Sequence, residues 1–82
     1  MRYFVYLLRS ADRKTPKTYV GWTTDLEKRL KAHNEGGGAK STRGRVWALM
    51  YAECHATRHD AMSREWHLKR DRAFRNRLKT FD

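Results

Sequence analysis

The run Tyr3-Phe4-Val5-Tyr6-Leu7-Leu8 limits this chain more than any other stretch. Six apolar residues in a row, without alternation, predict a strand covered on both faces. The run is far shorter than the roughly 20 residues that cross a membrane, and too short for a secretory leader. The expected location is therefore the cytoplasm, with no membrane contact. Eighty-two residues leave room for one domain, 1–82, with a modest core.

The rest of the chain supplies partners for that strand. A polar loop from Ser10 to Lys17 holds the only proline, and Thr18 to Trp22 then predicts a second strand, joined to the first as an antiparallel hairpin. Gly21 within it predicts a bulge or a close backbone approach. Thr24 followed by Glu27 reads as a capping box, opening a helix from Asp25 to Asn34. Gly36-Gly37-Gly38 ends that helix by supplying a left-handed residue. Ala39 to Arg45 is a basic loop or single turn, and Val46 to Ala52 predicts a third strand. Thr57 with Asp60 caps a helix from Arg58 to Arg70, and Asp71 caps a last short one over 72–79. The expected fold is α+β and sandwich-like, a three-stranded antiparallel sheet flanked by helices, in the order β-β-α-(turn)-β-α-α.

Two helices break the apolar rule on their inner faces. In the first, Leu26, Arg29, Leu30 and His33 fall at i, i+3, i+4 and i+7, the spacing of a core-facing stripe, yet two of the four are polar. In the second, Ala61, Met62, Trp66 and Leu68 form a ragged apolar face with Glu65 within or beside it. A cation and a carboxylate thus occupy positions where Leu would pack better.

Charge points to the partner. Nineteen Lys and Arg against nine acids give a net +10, which suits a polyanion such as nucleic acid. The one cysteine, Cys54, excludes an internal disulfide. His55 and His59 lie at i, i+4, but no Cys-x-x-Cys or His-Glu-x-x-His accompanies them, so a zinc site is not expected.

These residues resemble the GIY-YIG nuclease superfamily, and most closely its small stand-alone, single-domain bacterial members. The first tripeptide appears as Phe4-Val5-Tyr6, keeping the tyrosine with Phe4 in place of the glycine, and the second as Tyr19-Val20-Gly21. The following helix matches T-D-L-x-x-R-L-x-x-H-N through Thr24, Asp25, Leu26, Arg29, Leu30, His33 and Asn34. Gly38 to Gly44 match G-A-K-x-T-R-G, and the acidic position is Glu65. Asn76 is the candidate for the downstream asparagine of some members.

The resemblance implies a divalent-metal-dependent endonuclease that hydrolyses DNA phosphodiesters, directed by structure or damage rather than sequence, as in repair or recombination. It implies Tyr6 as general base and Tyr19 as a hydrogen-bonding group near the phosphate. A phenol of pKa about 10 needs a cationic setting or a proton acceptor to act as a base, and His33, one turn past Arg29, is placed to accept. Arg29 suits a two-point grip on phosphate oxygens. Glu65 suits one Mg²⁺ or Mn²⁺ that keeps most of its waters. Lys40, Arg43, Arg45, Arg64, Lys69 and Arg70 are candidate phosphate contacts on either side. The three glycines before them would let backbone N–H groups approach a phosphate, or merely end the helix. A monomer or weak homodimer is expected. From the residues alone, both tyrosines could be core aromatics and Arg29 could pair with Glu65 as a salt bridge. A non-catalytic nucleic-acid-binding module of the same fold and a basic adaptor for an acidic protein are the competing readings.

Overall fold

β1 (Tyr3–Ser10) is the middle strand of a three-stranded sheet ordered β2-β1-β3, with β2 (Thr18–Thr23) and β3 (Trp47–His55) antiparallel to it on either side. The central position explains the unbroken apolar run: Val5, Leu7 and Leu8 are no more than 1% exposed because helices cover both faces. The computed structural model describes residues 1–12 and 14–79. Arg13, in the polar loop, and residues 80–82 lie outside the described residues.

On one face Val5, Leu7 and Val20 meet Ala61 and Leu68 of α2 (Arg58–Arg70), with Phe74 and Leu78 of α3 (Arg72–Lys79) closing the layer. On the other face Tyr6, Leu8 and Trp47 meet Leu26 and Leu30 of α1 (Leu26–Asn34). The helix-sheet-helix layering is the expected α+β architecture in the expected order.

A bulge in β3 lets one strand serve both layers. Leu8 pairs with Leu49 while Leu7 pairs with Tyr51, so Met50 is an extra residue. Trp47 therefore enters the α1 layer, whereas Tyr51 packs edge-on against Phe74 at 5.0 Å in the α2–α3 layer. The strand also runs to His55 rather than stopping at Ala52. Its polar end is satisfied by one network: Glu53 accepts from Tyr51, from Arg64 Nε at 2.7 Å and bonds His55 Nε2 at 2.9 Å.

The first helix starts one residue later than the capping-box reading. Thr24 is not the cap. Asp25 accepts from the Lys28 N–H at 3.1 Å, while the Thr23 hydroxyl accepts from the Asp25 N–H at 3.2 Å. Thr57 and Asp71 cap α2 and α3 as expected, accepting from Asp60 and Phe74. Gly36 takes φ +85° just past α1, the left-handed residue that ends it.

Candidate active site

The stripe that looked anomalous on α1 faces the sheet. His33 is fully buried, and Leu26, Arg29 and Leu30 are half-buried. Across from them, on the α1 face of β1, stands Tyr6, 2% exposed. Its cross-strand partner is Gly21, and Tyr19 pairs with Leu8, so Tyr19 is the diagonal neighbour on the same face. The Tyr6 and Tyr19 rings lie 6.3 Å apart, and Tyr19 lies 4.8 Å from the His33 ring.

Gly21 is where the close approach occurs, and no bulge accompanies it. A Cβ there would stand 2.5 Å from the Tyr6 hydroxyl oxygen and 2.8 Å from Cζ. The glycine is thus the floor on which the phenol lies. Gly38 does the same for His33, since a Cβ there would meet Nδ1 at 2.2 Å. Phe4, in the place of the motif's glycine, sits in extended strand paired with Thr23 and Cys54, where a side chain is accommodated.

Two side chains converge on the Tyr6 oxygen. It lies 2.9 Å from His33 Nε2 and receives Arg29 Nε–H at 3.4 Å; Arg29 also donates from its second terminal nitrogen to the Gly38 carbonyl at 2.8 Å. The glycine segment therefore turns a carbonyl toward Arg29, and its N–H groups are not what builds this wall. Thr42, fully buried in a single 3₁₀ turn (Lys40–Thr42), touches His33 Nδ1 at 2.9 Å, the Ala39 carbonyl at 2.9 Å and the Ala39 N–H at 3.2 Å.

The contacts at Thr42 assign the imidazole proton. A carbonyl can only accept and an N–H can only donate, so the single Thr42 hydroxyl proton goes to Ala39. Thr42 then accepts from His33, which must carry its proton on Nδ1. His33 Nε2 is left as a bare acceptor, and Tyr6 donates to it. Gly38, Ala39 and Thr42 belong to the G-A-K-x-T-R-G stretch, but their contacts with Arg29 and His33 were not readable there, because a loop threonine has no periodicity to say where it points.

Electrostatics follow from burial. Burial pushes the Tyr6 phenol above its ordinary 10.0, against the Arg29 hydrogen bond that draws it down. His33 is held below its ordinary 6.5, by burial first and by the Arg29 charge second, so it is neutral at pH 7. Arg29 is reinforced as a cation, chiefly by its hydrogen bond to Tyr6. The unit at rest is a phenol donating to a neutral imidazole beside a guanidinium.

Glu65 stands on the helix of the opposite face, α2, near enough for its charge to reach Tyr6. Its charge adds to the upward push on Tyr6, its side chain is 22% exposed, and its nearest cation is Lys69 at 3.8 Å. No salt bridge joins it to Arg29 among the described residues; the guanidinium is engaged by Tyr6 and Gly38 instead. No cluster of three or more metal-type ligands occurs among the described residues. A lone carboxylate held loosely by one lysine is a hard oxygen donor with room for water around it, which fits a hydrated divalent cation.

Of the other cations expected at phosphate, Lys40 and Arg43 are exposed on the loop that carries Thr42, and Lys69 lines an open cleft of about 190 Å³ with Tyr19 and Arg75. Arg45 and Arg64 point elsewhere, to Asp12 and Glu53, because those carboxylates offer close charge-assisted partners. Arg70 lies over the Trp66 ring. A second cleft of about 420 Å³ opens beside Arg29, with Thr23, Asp25 and Lys28 on its wall. Lys28 and Arg75, which line these clefts, carry nothing in the sequence that separates them from ordinary surface cations.

Residues 2–79 match the GIY-YIG catalytic domain family. A UPF0213 protein of Clostridium perfringens is 47% identical over 68 residues, 82% of this chain and 70% of its own. A UPF0213 protein of Haloquadratum walsbyi is 44% identical over 68 residues, 82% of this chain and 73% of its own. The solution NMR structure of a UPF0213 protein from Bacillus halodurans superposes with a TM-score of 0.54 at 35% identity, covering 95% of this chain and 82% of that one.

Proposed function

The chain belongs to the GIY-YIG catalytic domain family, a nuclease family, and from that premise we propose that it is a divalent-metal-dependent endonuclease hydrolysing DNA phosphodiester bonds. The observation that carries this is the buried Tyr6 hydroxyl, within hydrogen-bond distance of both the bare Nε2 of His33 and the Arg29 guanidinium. A buried packing tyrosine needs one hydrogen-bond partner for its hydroxyl; an acceptor and a permanent cation at the same oxygen are more than packing requires.

Each residue then has a task. The attacking water gives a proton to the Tyr6 oxygen as Tyr6 passes its own to His33 Nε2; the water oxygen bonds to phosphorus, the ester P–O bond breaks, and the leaving oxygen takes a proton from solvent. The raised phenol and the lowered imidazole both oppose a separated phenolate–imidazolium pair, so Tyr6 serves near neutral pH by giving up its proton to His33 as the water's proton arrives. Arg29, with Tyr19 beside it, binds the phosphoryl oxygens where charge grows. Glu65 would hold the cation, which would supply neutralisation of phosphate charge and help for the leaving oxygen. Lys28, Lys69 and Arg75 in the two clefts hold the backbone on either side.

With one such site per chain, a single visit cuts a single strand. That suits a chain acting as a monomer or weak homodimer on structured or damaged DNA in repair or recombination, and an 82-residue domain has little surface for reading a long sequence.

Nicking of supercoiled plasmid with Mg²⁺ or Mn²⁺ tests the reading, with Glu65→Gln and Arg29→Ala beside the native chain. Nicking by the native chain alone is expected. Equal nicking by either variant refutes its assigned role, and salt-sensitive DNA binding without nicking makes the chain a binding module instead.

A further inference from the structure

Trp66 belongs, by the sequence pattern, to the apolar face of α2, yet it is 53% exposed, and Met62 one turn earlier is 46% exposed. The helix buries only Ala61 and Leu68. At 100° per residue Glu65 flanks that buried line on one side and Arg64 on the other. Lys69, Met62 and Trp66 follow on the Glu65 side in that order. Arg58 shares this side and stands 5.4 Å from the Trp22 ring of β2, so it is the side turned to the β2 edge. An exposed apolar pair thus adjoins the carboxylate assigned to the reaction.

The indole is held in place. Arg70 stacks on it with its guanidinium carbon 3.7 Å from the ring centroid and donates to the Trp66 carbonyl at 2.9 Å; the His67 ring lies edge-on at 5.0 Å. Arg58, Lys69 and Arg70 rim the pair with positive charge. An ordered aromatic face with a cationic rim complements a nucleobase and its phosphate together.

We propose that Trp66, steadied by Arg70, is a stacking platform for an unpaired base of the DNA strand whose backbone passes Glu65. The favoured substrate is then single-stranded or splayed DNA, since a base inside a duplex has both faces covered by its neighbours and cannot stack on an indole without first being unstacked. The identity of the ligand rests on the endonuclease reading.

The test is metal-free binding of a labelled 12-nucleotide single strand and of its duplex by the native chain, Trp66→Ala and Trp66→Phe. A half-exposed residue can be changed without unfolding the chain, which circular dichroism verifies. Trp66→Ala should weaken single-strand binding about tenfold or more, change duplex binding less than about twofold, and Trp66→Phe should keep most of the native affinity. Undiminished single-strand binding by Trp66→Ala overturns the proposal, as does an equal loss on both forms. Because no metal is present, the two readings separate. A native chain that binds single strands through Trp66 but never nicks sinks only the endonuclease. A native chain that nicks while Trp66→Ala binds normally sinks only the platform. No DNA binding at all sinks both.

Discussion

Gly21→Ala is the sharpest perturbation of the site, because one methyl group acts on one bond. The new Cβ would stand 2.5 Å from the Tyr6 oxygen, about 0.9 Å short of ordinary contact. Tyr6 is 2% exposed in the α1 layer, so the phenol must slide along the strand or β2 must lift off. A phenol that slides is displaced from its 2.9 Å link to His33, whereas a β2 that lifts gives up ladder bonds to β1 instead. Forcing a methyl into a packed core costs about 1–3 kcal/mol, and losing a buried hydrogen bond adds about 1 kcal/mol. Urea denaturation should therefore report about 2–4 kcal/mol of lost stability. Displacing a reacting group by about 1 Å should lower cleavage by about a hundredfold. A Gly21→Ala protein with native stability and native cleavage would show that Tyr6 is not wedged against this strand and that its position is not what sets the rate.

Two further outcomes follow from the same network. Thr42→Val keeps the shape but leaves the buried His33 Nδ1–H without an acceptor, costing about 1–3 kcal/mol. Imidazole ¹⁵N shifts should move away from the Nδ1–H form in that variant and stay native in Thr42→Ser; unchanged shifts in Thr42→Val would refute the proton assignment. Stability should also fall with acid in two separate windows. His33 is held below 6.5 when folded, so it contributes fully above 6.5 and that contribution is lost as pH falls from there through its lowered folded value. For Glu53, burial pushes upward but the hydrogen bonds from Tyr51, His55 and Arg64 outweigh it and hold it below 4.5. Its contribution is present above 4.5 and fades only below that. Urea midpoints of the native chain and His33→Gln across pH 4–7 check this, and an unaltered upper window in His33→Gln contradicts it.

Features made by local chemistry were legible in the sequence, and features made by tertiary contact were not. The unbroken run around Tyr6 announced the central strand, and Thr57 and Asp71 announced two helix starts to the residue. At α1 two good caps stand side by side, and Thr23, by bonding the Asp25 N–H, decides for Asp25. The end of β3 was hidden because Glu53 and His55 look like loop residues until Tyr51 and Arg64 satisfy them. Arg29 and His33 stood out because polar residues on a core stripe need a reason. The G-A-K-x-T-R-G stretch marked Gly38 and Thr42 without showing what they touch, since a loop has no regular face, and Trp66 looked like core because its helix buries far less than its pattern offers.

The proposed reaction depends on one atom, the Tyr6 hydroxyl oxygen. Single-turnover cleavage of a labelled DNA strand by Tyr6→Phe, which removes that atom and keeps the ring in its layer, measures its worth. The account predicts a drop of about 10²–10⁴-fold, with DNA binding and the folded signal retained. Cleavage at the native rate would mean that the phenol only packs, and that the reaction is driven from elsewhere.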